Sequence, residues 1–172
     1  VQIYDAQNLA LTAVVELPAT EGGRELWPAE PRVATDGTVF VNTFMCGLYR
    51  IDDVGGAAPR AEHVYSFPIE RWEDACAVPV IVGDYLVQTV GSINGLIALD
   101  ISDPHKAVEV ARLIFDHAYH MPHWLAADED GRLVVTGMAD SWVLMAKIDK
   151  ATGSLSLDEN FRDAGSDKPG VF

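Results

Sequence analysis

At 172 residues, 49% hydrophobic and 22% charged, the sequence has the make-up of one ordinary folded domain rather than of a disordered chain. Its net charge of −14, from 12 basic and 26 acidic residues, argues against nucleic acid and anionic membrane as partners. No apolar run reaches the length of a bilayer span; the longest, around Val78 to Val82, contains Pro79 and stops at Gly83-Asp84. The reading is a soluble protein of unassigned compartment.

The first segment, Val1-Gln2-Ile3-Tyr4-Asp5, is a short strand stopped by an aspartate, and a second strand is expected over 10–17. A longer unit follows. Glu30-Pro31-Arg32-Val33-Ala34-Thr35-Asp36-Gly37 runs from a proline through a strand into a tight turn, with further strands over 39–43, 48–52 and 61–67. The layout recurs at Val78-Pro79-Val80-Ile81-Val82-Gly83-Asp84, followed by 85–89, 96–100 and 108–115. It recurs again at Met121-Pro122-His123-Trp124-Leu125-Ala126-Ala127-Asp128, followed by 132–136, 144–149 and 155–161. Pro31, Pro79 and Pro122 are 48 and then 43 residues apart, and Thr43, Thr89 and Thr136 close each second strand. Asp5, Asp52, Asp100 and Asp149 step by 47, 48 and 49 residues. Only 69–75 has room for a helical turn, since no segment sustains a helical period over the length a helix needs.

Four short strands in about 45 residues is the period of a β-propeller blade. A β-sandwich also uses short, evenly spaced strands, but it does not account for a four-strand period with matched prolines and aspartates. The expected fold is therefore all-β, a β-propeller of about three and a half four-stranded blades. It comprises a blade remnant over 1–18, blades over about 29–68, 76–116 and 120–162, and a tail over 163–172. Propellers close with about four to eight blades, so two open edges are expected, to be covered by the rest of the ring or by a second copy. The opening at Val1, without Met and inside a blade, reads as a truncation.

Successive antiparallel strands alternate direction, so the loop leading into a blade and the loop between its second and third strands share one face. That face is expected to collect Cys46, Cys76, His117, His120 and His123, together with Asn94, Asp140 and Ser141. The opposite face receives Asp36, Asp84, Asp128, Glu129, Asp130, His105 and Lys150. His117-Ala118-Tyr119-His120-Met121-Pro122-His123 places three imidazoles directly before an innermost strand, with Pro122 turning the chain so that two can converge. Imidazole suits zinc, copper, iron or nickel, so one reading is a metal site at the channel mouth. The other is a hydrogen-bonding strut at the start of a strand. Cys46 and Cys76 make no disulfide framework and read as buried, inert thiols, with a ligand role as the alternative. The recurring aspartates read as turn caps, and Trp27, Trp72, Trp124 and Trp142 as core packing. There is no phosphate-cradling glycine loop and no Gly-x-Ser-x-Gly elbow, so no nucleotide cofactor is expected.

Several pieces resemble the selenium-binding protein family, whose members include methanethiol oxidases. They are Cys46-Gly47-Leu48-Tyr49-Arg50, Gly95-Leu96-Ile97-Ala98-Leu99-Asp100-Ile101-Ser102-Asp103-Pro104, Met121-Pro122-His123-Trp124 and Leu157-Asp158-Glu159-Asn160-Phe161-Arg162-Asp163-Ala164-Gly165-Ser166. The resemblance implies a seven-bladed propeller of which this chain is about half. It also implies a histidine-bound metal, copper in the oxidases, and turnover of a small thiol to aldehyde, sulfide and peroxide. His123 falls on a matching piece and His120 directly precedes it, with His117 beside them as a third candidate ligand. The family's selenium-linked cysteine motif is not present, and Cys46 and Cys76 stand in other contexts. Two further expectations stand beside this one. One is a non-catalytic propeller binding a small ligand or a protein partner on the same face. The other is a propeller lactonase or other hydrolase, which requires acidic groups at the channel mouth.

Overall fold

A computed structural model of the chain describes residues 1–71, 74–138 and 141–171. Strands β1 (Gln2–Tyr4) and β2 (Leu11–Val14) pair as a two-stranded sheet. Three four-stranded antiparallel meanders follow. They are β3 (Pro28–Val33), β4 (Val39–Thr43), β5 (Gly47–Asp52) and β6 (Arg60–Ser66); β7 (Val80–Val82), β8 (Tyr85–Val90), β9 (Gly95–Asp100) and β10 (Val108–Ile114); and β11 (Pro122–Ala127), β12 (Arg132–Gly137), β13 (Val143–Ile148) and β14 (Leu155–Leu157). A 3₁₀ turn at Gly91–Ile93 joins β8 to β9, and no α-helix occurs among the described residues. Three meanders packed in series behind a half-sheet make this an all-β propeller segment of three and a half blades. No helix among the described residues is long and apolar enough to cross a membrane.

The repeat has a physical basis that differs in part from its appearance in sequence. The terminal aspartates cap turns in three of four units. Asp5 accepts the N–H groups of Gln7 and Asn8, Asp100 that of Ser102, and Asp149 those of Ala151 and Thr152. Asp52 instead pairs with the buried Arg50 and with Arg60, and the turn role passes to Asp53, which accepts from Ala58. The prolines do not share a register. Pro31 lies opposite Val41, two residues before Thr43, whereas Pro122 lies opposite Gly137, one residue after Thr136. β3 and β11 carry the same one-residue register shift, so the prolines simply fall at different places along strands that pair alike. Trp72 and Asp140 lie outside the described residues, as does part of the 69–75 turn.

Apolar side chains meet between blades. Val15, Val41 and Ile51 pack the first interface; Phe40, Leu48, Leu86, Ile97 and Leu99 the second; and Val87, Leu96, Leu125, Leu133, Leu144 and Trp142 the third. The leading segments of adjacent blades are also stitched by polar groups. Val78 N–H donates to the His123 carbonyl at 3.0 Å, Asn42 Nδ2 to the Ala77 carbonyl at 2.5 Å, and Arg32 Nε to the Pro79 carbonyl at 2.7 Å. Asn42, Gln88, Thr43 and Thr89 are buried; Asn42 Nδ2 and Gln88 Nε2 donate to the Ala77 carbonyl, Thr43 Oγ1 to the Arg24 carbonyl and Thr89 Oγ1 to the His123 carbonyl, pairing groups that are costly to bury alone.

Candidate functional site

The face that carries the candidate site is organised by an equivalence between blades. The carbonyl of the residue leading into each blade accepts a hydrogen bond from the residue that follows the second strand. Trp27 accepts from Phe44, Ala75 from Gly91, and Met121 from Met138, at 3.0, 3.2 and 3.0 Å. Each pair therefore sits at the same height on its own blade. Together with Ala77, Pro122 and His123, the three pairs enclose a pocket of about 200 Å³. In the flanking blades both members of the pair are large; in the middle blade they are Ala75 and Gly91, and this contrast opens the space. A Cβ on Gly91 would come within 2.9 Å of the Asp74 carbonyl, so this position requires glycine. Trp27 and Met121 both hold left-handed backbone, with φ of 56° and 49°, a conformation costly for such side chains and held only where surrounding structure enforces it.

His123 is the pocket's titratable residue. Its main chain is fixed by Val78 N–H on its carbonyl, and its ring lies 5.0 Å from that of Trp124. Its Nδ1 is buried without a hydrogen-bond partner. Burial holds its pKa below the ordinary imidazole value, so the ring is neutral at physiological pH. On its other side, His123 borders a second recess with Pro28, Ala29, Glu30, Phe44, Ala77, Val78 and Trp124. The Glu30 carboxylate there is engaged by Arg32 at 3.0 Å.

His117 and His120 line a neighbouring polar recess with Arg71, Asp74 and Asn94, which shares Gly91 and Met121 with the apolar pocket. The three histidines expected to act together thus border adjoining recesses. Among the described residues, no group of three or more His, Cys, Asp or Glu side chains meets where it could hold a metal ion. His63 lies edge-on to Tyr49, and His105 faces Glu62 at 2.9 Å.

The cysteines correct the sequence reading. Cys46 and Cys76 are not free thiols but form a disulfide, with Cα atoms 5.0 Å apart. Cys46 occupies a left-handed turn after β4, and Cys76 lies in the loop leading to β7. Cys76 N–H donates to the Phe44 carbonyl and brings the two segments together. A separation of 30 residues in sequence is closed by blade adjacency, which no local pattern reveals. Two tryptophans also depart from the expected core role. Trp142 is buried, but Trp27 is 57% exposed on the pocket wall and Trp124 is 55% exposed. Phe44 and Met138 were not singled out from sequence. Their signal is position: each is among the first residues after the second-strand threonine of its unit.

No family model matches the chain, and no curated protein matches it. Solved structures do. A protein from Lactobacillus plantarum superposes with a TM-score of 0.72 at 17% identity, over 90% of this chain and 46% of that one. A hypothetical selenium-binding protein from Sulfolobus tokodaii gives 0.65 at 19%, over 81% and 41%. The periplasmic gluconolactonase of Pseudomonas aeruginosa gives 0.61 at 12%, over 76% and 38%. At these identities the likeness establishes the β-propeller fold and nothing finer. The chain spans less than half the length of these structures.

Proposed function

We propose that this propeller face binds a small, largely apolar molecule in the pocket between Trp27, Phe44, Met121 and Met138. The observation that carries this reading is the convergence of three equivalent blade positions around a space left by Ala75 and Gly91. The volume of about 200 Å³ is below the roughly 300–1,000 Å³ of drug-sized sites and suits a ligand of benzene size or somewhat larger. Aromatic and thioether walls favour such a ligand through dispersion and sulfur–ring contacts. The test is toluene binding followed by NMR, with Ala75→Phe filling the space from the middle blade. Toluene affinity is expected to fall by more than about tenfold in that variant. Equal affinity in the two proteins would overturn the proposal.

Oxidation of a small thiol is a finer form of the same reading, since the pocket suits the hydrocarbon part of such a substrate. Within the described residues, His120 and His123 border different recesses, no group of three or more His, Cys, Asp or Glu side chains meets there, and both cysteine sulfurs are committed to the disulfide, so these donors do not make up a copper site. No redox step is therefore assigned. Copper content before and after His120→Ala and His123→Ala tests the metal directly; unchanged content in the double variant removes both residues as ligands. The lactonase reading has less support, because among the described residues no carboxylate lines the apolar pocket and Glu30 beyond it is paired. For partners, the proposal is that another blade covers the uncovered face of β11–β14, where Trp124 and Val134 stand exposed.

A further inference from the structure

We propose that the ligand of the apolar pocket is a small hydrocarbon amine, with its apolar body in the pocket and its ammonium group in the adjoining recess against Glu30. This rests on the pocket reading above and adds the charge of the ligand's far end. The recess, of about 240 Å³, is lined by Phe44, Ala77 and His123, which also line the pocket, so the two adjoin.

The charge of the recess selects what enters it. Glu30 is the one charged side chain among the described residues that line it. Its N–H donates to Asn42 Oδ1 at 3.1 Å, which fixes the main chain there. The side chain is 37% exposed, so a ligand group can reach it. Arg32 occupies one carboxylate oxygen, Oε2, at 3.0 Å, and its guanidinium also donates to the Pro31 and Pro79 carbonyls. The other oxygen, Oε1, accepts no hydrogen bond from the described residues. A carboxylate takes several donors, so Glu30 can keep Arg32 and meet an ammonium as well. Phe44 and Trp124 line the same recess, and the faces of such rings attract a cation. His123 adds no opposing charge, because burial keeps its ring neutral. An anionic end would meet Glu30 and the rings with no cation lining the recess among the described residues. The net charge of −14 draws cations to the protein in the same sense.

Phenethylamine, phenethyl alcohol and hydrocinnamate are matched probes, offering a cation, a neutral polar end and an anion on one phenyl frame. Titrated into the unaltered chain by calorimetry, the amine is expected to bind about tenfold more tightly than the alcohol, and hydrocinnamate weakest. In Glu30→Gln the ratio of amine to alcohol affinity should fall toward one. General attraction to an acidic protein would survive that change, since the overall charge is almost the same. In the unaltered protein, saturating phenethylamine should shift the indole N–H resonances of both Trp27, in the pocket, and Trp124, in the recess. Toluene should shift that of Trp27 alone. Equal amine and alcohol affinity, a ratio unchanged in Glu30→Gln, or an unmoved Trp124 resonance at amine saturation overturns the amine assignment. Toluene binding reads the apolar pocket separately, so each of these outcomes leaves that reading standing while toluene binds. Failure of toluene and of all three probes to bind overturns both. The resonances are read without any substitution, so the outcome does not depend on a variant folding.

Discussion

The middle blade, β7–β10, and the last blade, β11–β14, have the same four-strand meander but different burial. In the middle blade every residue of β8 after Tyr85 is buried, as is every residue of β9 before Asp100, because a neighbouring blade covers each face. In the last blade burial alternates. Leu133, Val135, Leu144 and Ala146 point into the third interface, while Trp124 is 55% and Val134 38% exposed on the other side. Strand identity is local, whereas two-sided burial is conferred by the neighbour.

Four measurements break or sharpen this contrast. The largest effect is expected at the seam joining the middle blade to its predecessor. Closing a loop of 30 residues, the Cys46–Cys76 disulfide is expected to contribute about 3–4 kcal/mol. Denaturant unfolding with and without dithiothreitol, and of the Cys46→Ala/Cys76→Ala variant, measures it; a reductant-insensitive midpoint would contradict the bond.

Next comes core truncation. Leu99→Ala, in the doubly covered β9, should cost about 3 kcal/mol, whereas Val134→Ala on the uncovered face should cost under about 1 kcal/mol. Similar losses in urea melts would show that the last blade is covered after all.

A smaller effect concerns the outer tie between blades, where Tyr65 donates to Glu109 at 2.7 Å. Burial, with the carboxylate beside it, pushes the Tyr65 hydroxyl up to about 12. Tyr65→Phe should cost about 1–2 kcal/mol. Arg112 holds the pKa of Glu109 below its ordinary 4.5, and Arg50 does the same for Glu62, with His105 adding to it. Folded values below unfolded ones mean that this stabilisation is complete above pH of about 4.5 and is lost as pH falls through the depressed values. Urea midpoints should therefore fall below that pH, and less steeply for Glu109→Gln. A midpoint rising on acidification would contradict the assignment.

The smallest effect is spectroscopic. Trp124 should contribute acrylamide-quenchable, red-shifted emission and Trp142 should not, so Trp124→Phe removes more of the quenchable fraction than Trp142→Phe. The reverse result would mean that the last face is shielded.

The repeat was legible because strand and turn chemistry is local. Thr43 ends β4, Thr89 and Thr136 stand one residue before the ends of β8 and β12, and Asp5, Asp100 and Asp149 cap the turns that follow third strands. Asp52 and the prolines show the limit of that legibility, since a buried arginine draws Asp52 away from its turn and the prolines fall at different places in their strands, without changing the period. The candidate site was legible only in part. His123 was singled out for its spacing, but the burial of its Nδ1 and the bond from Val78 N–H to its carbonyl depend on the neighbouring blade.

By itself, then, the sequence determined the strands, their order and the all-β repeat, because alternation and turn residues act within a few positions of the chain. Tertiary structure alone decided the Cys46–Cys76 bond, the pocket where Trp27, Phe44, Met121 and Met138 meet over Ala75 and Gly91, and the exposure of Trp124. Each of these depends on distances between blades, which periodicity along one strand does not encode.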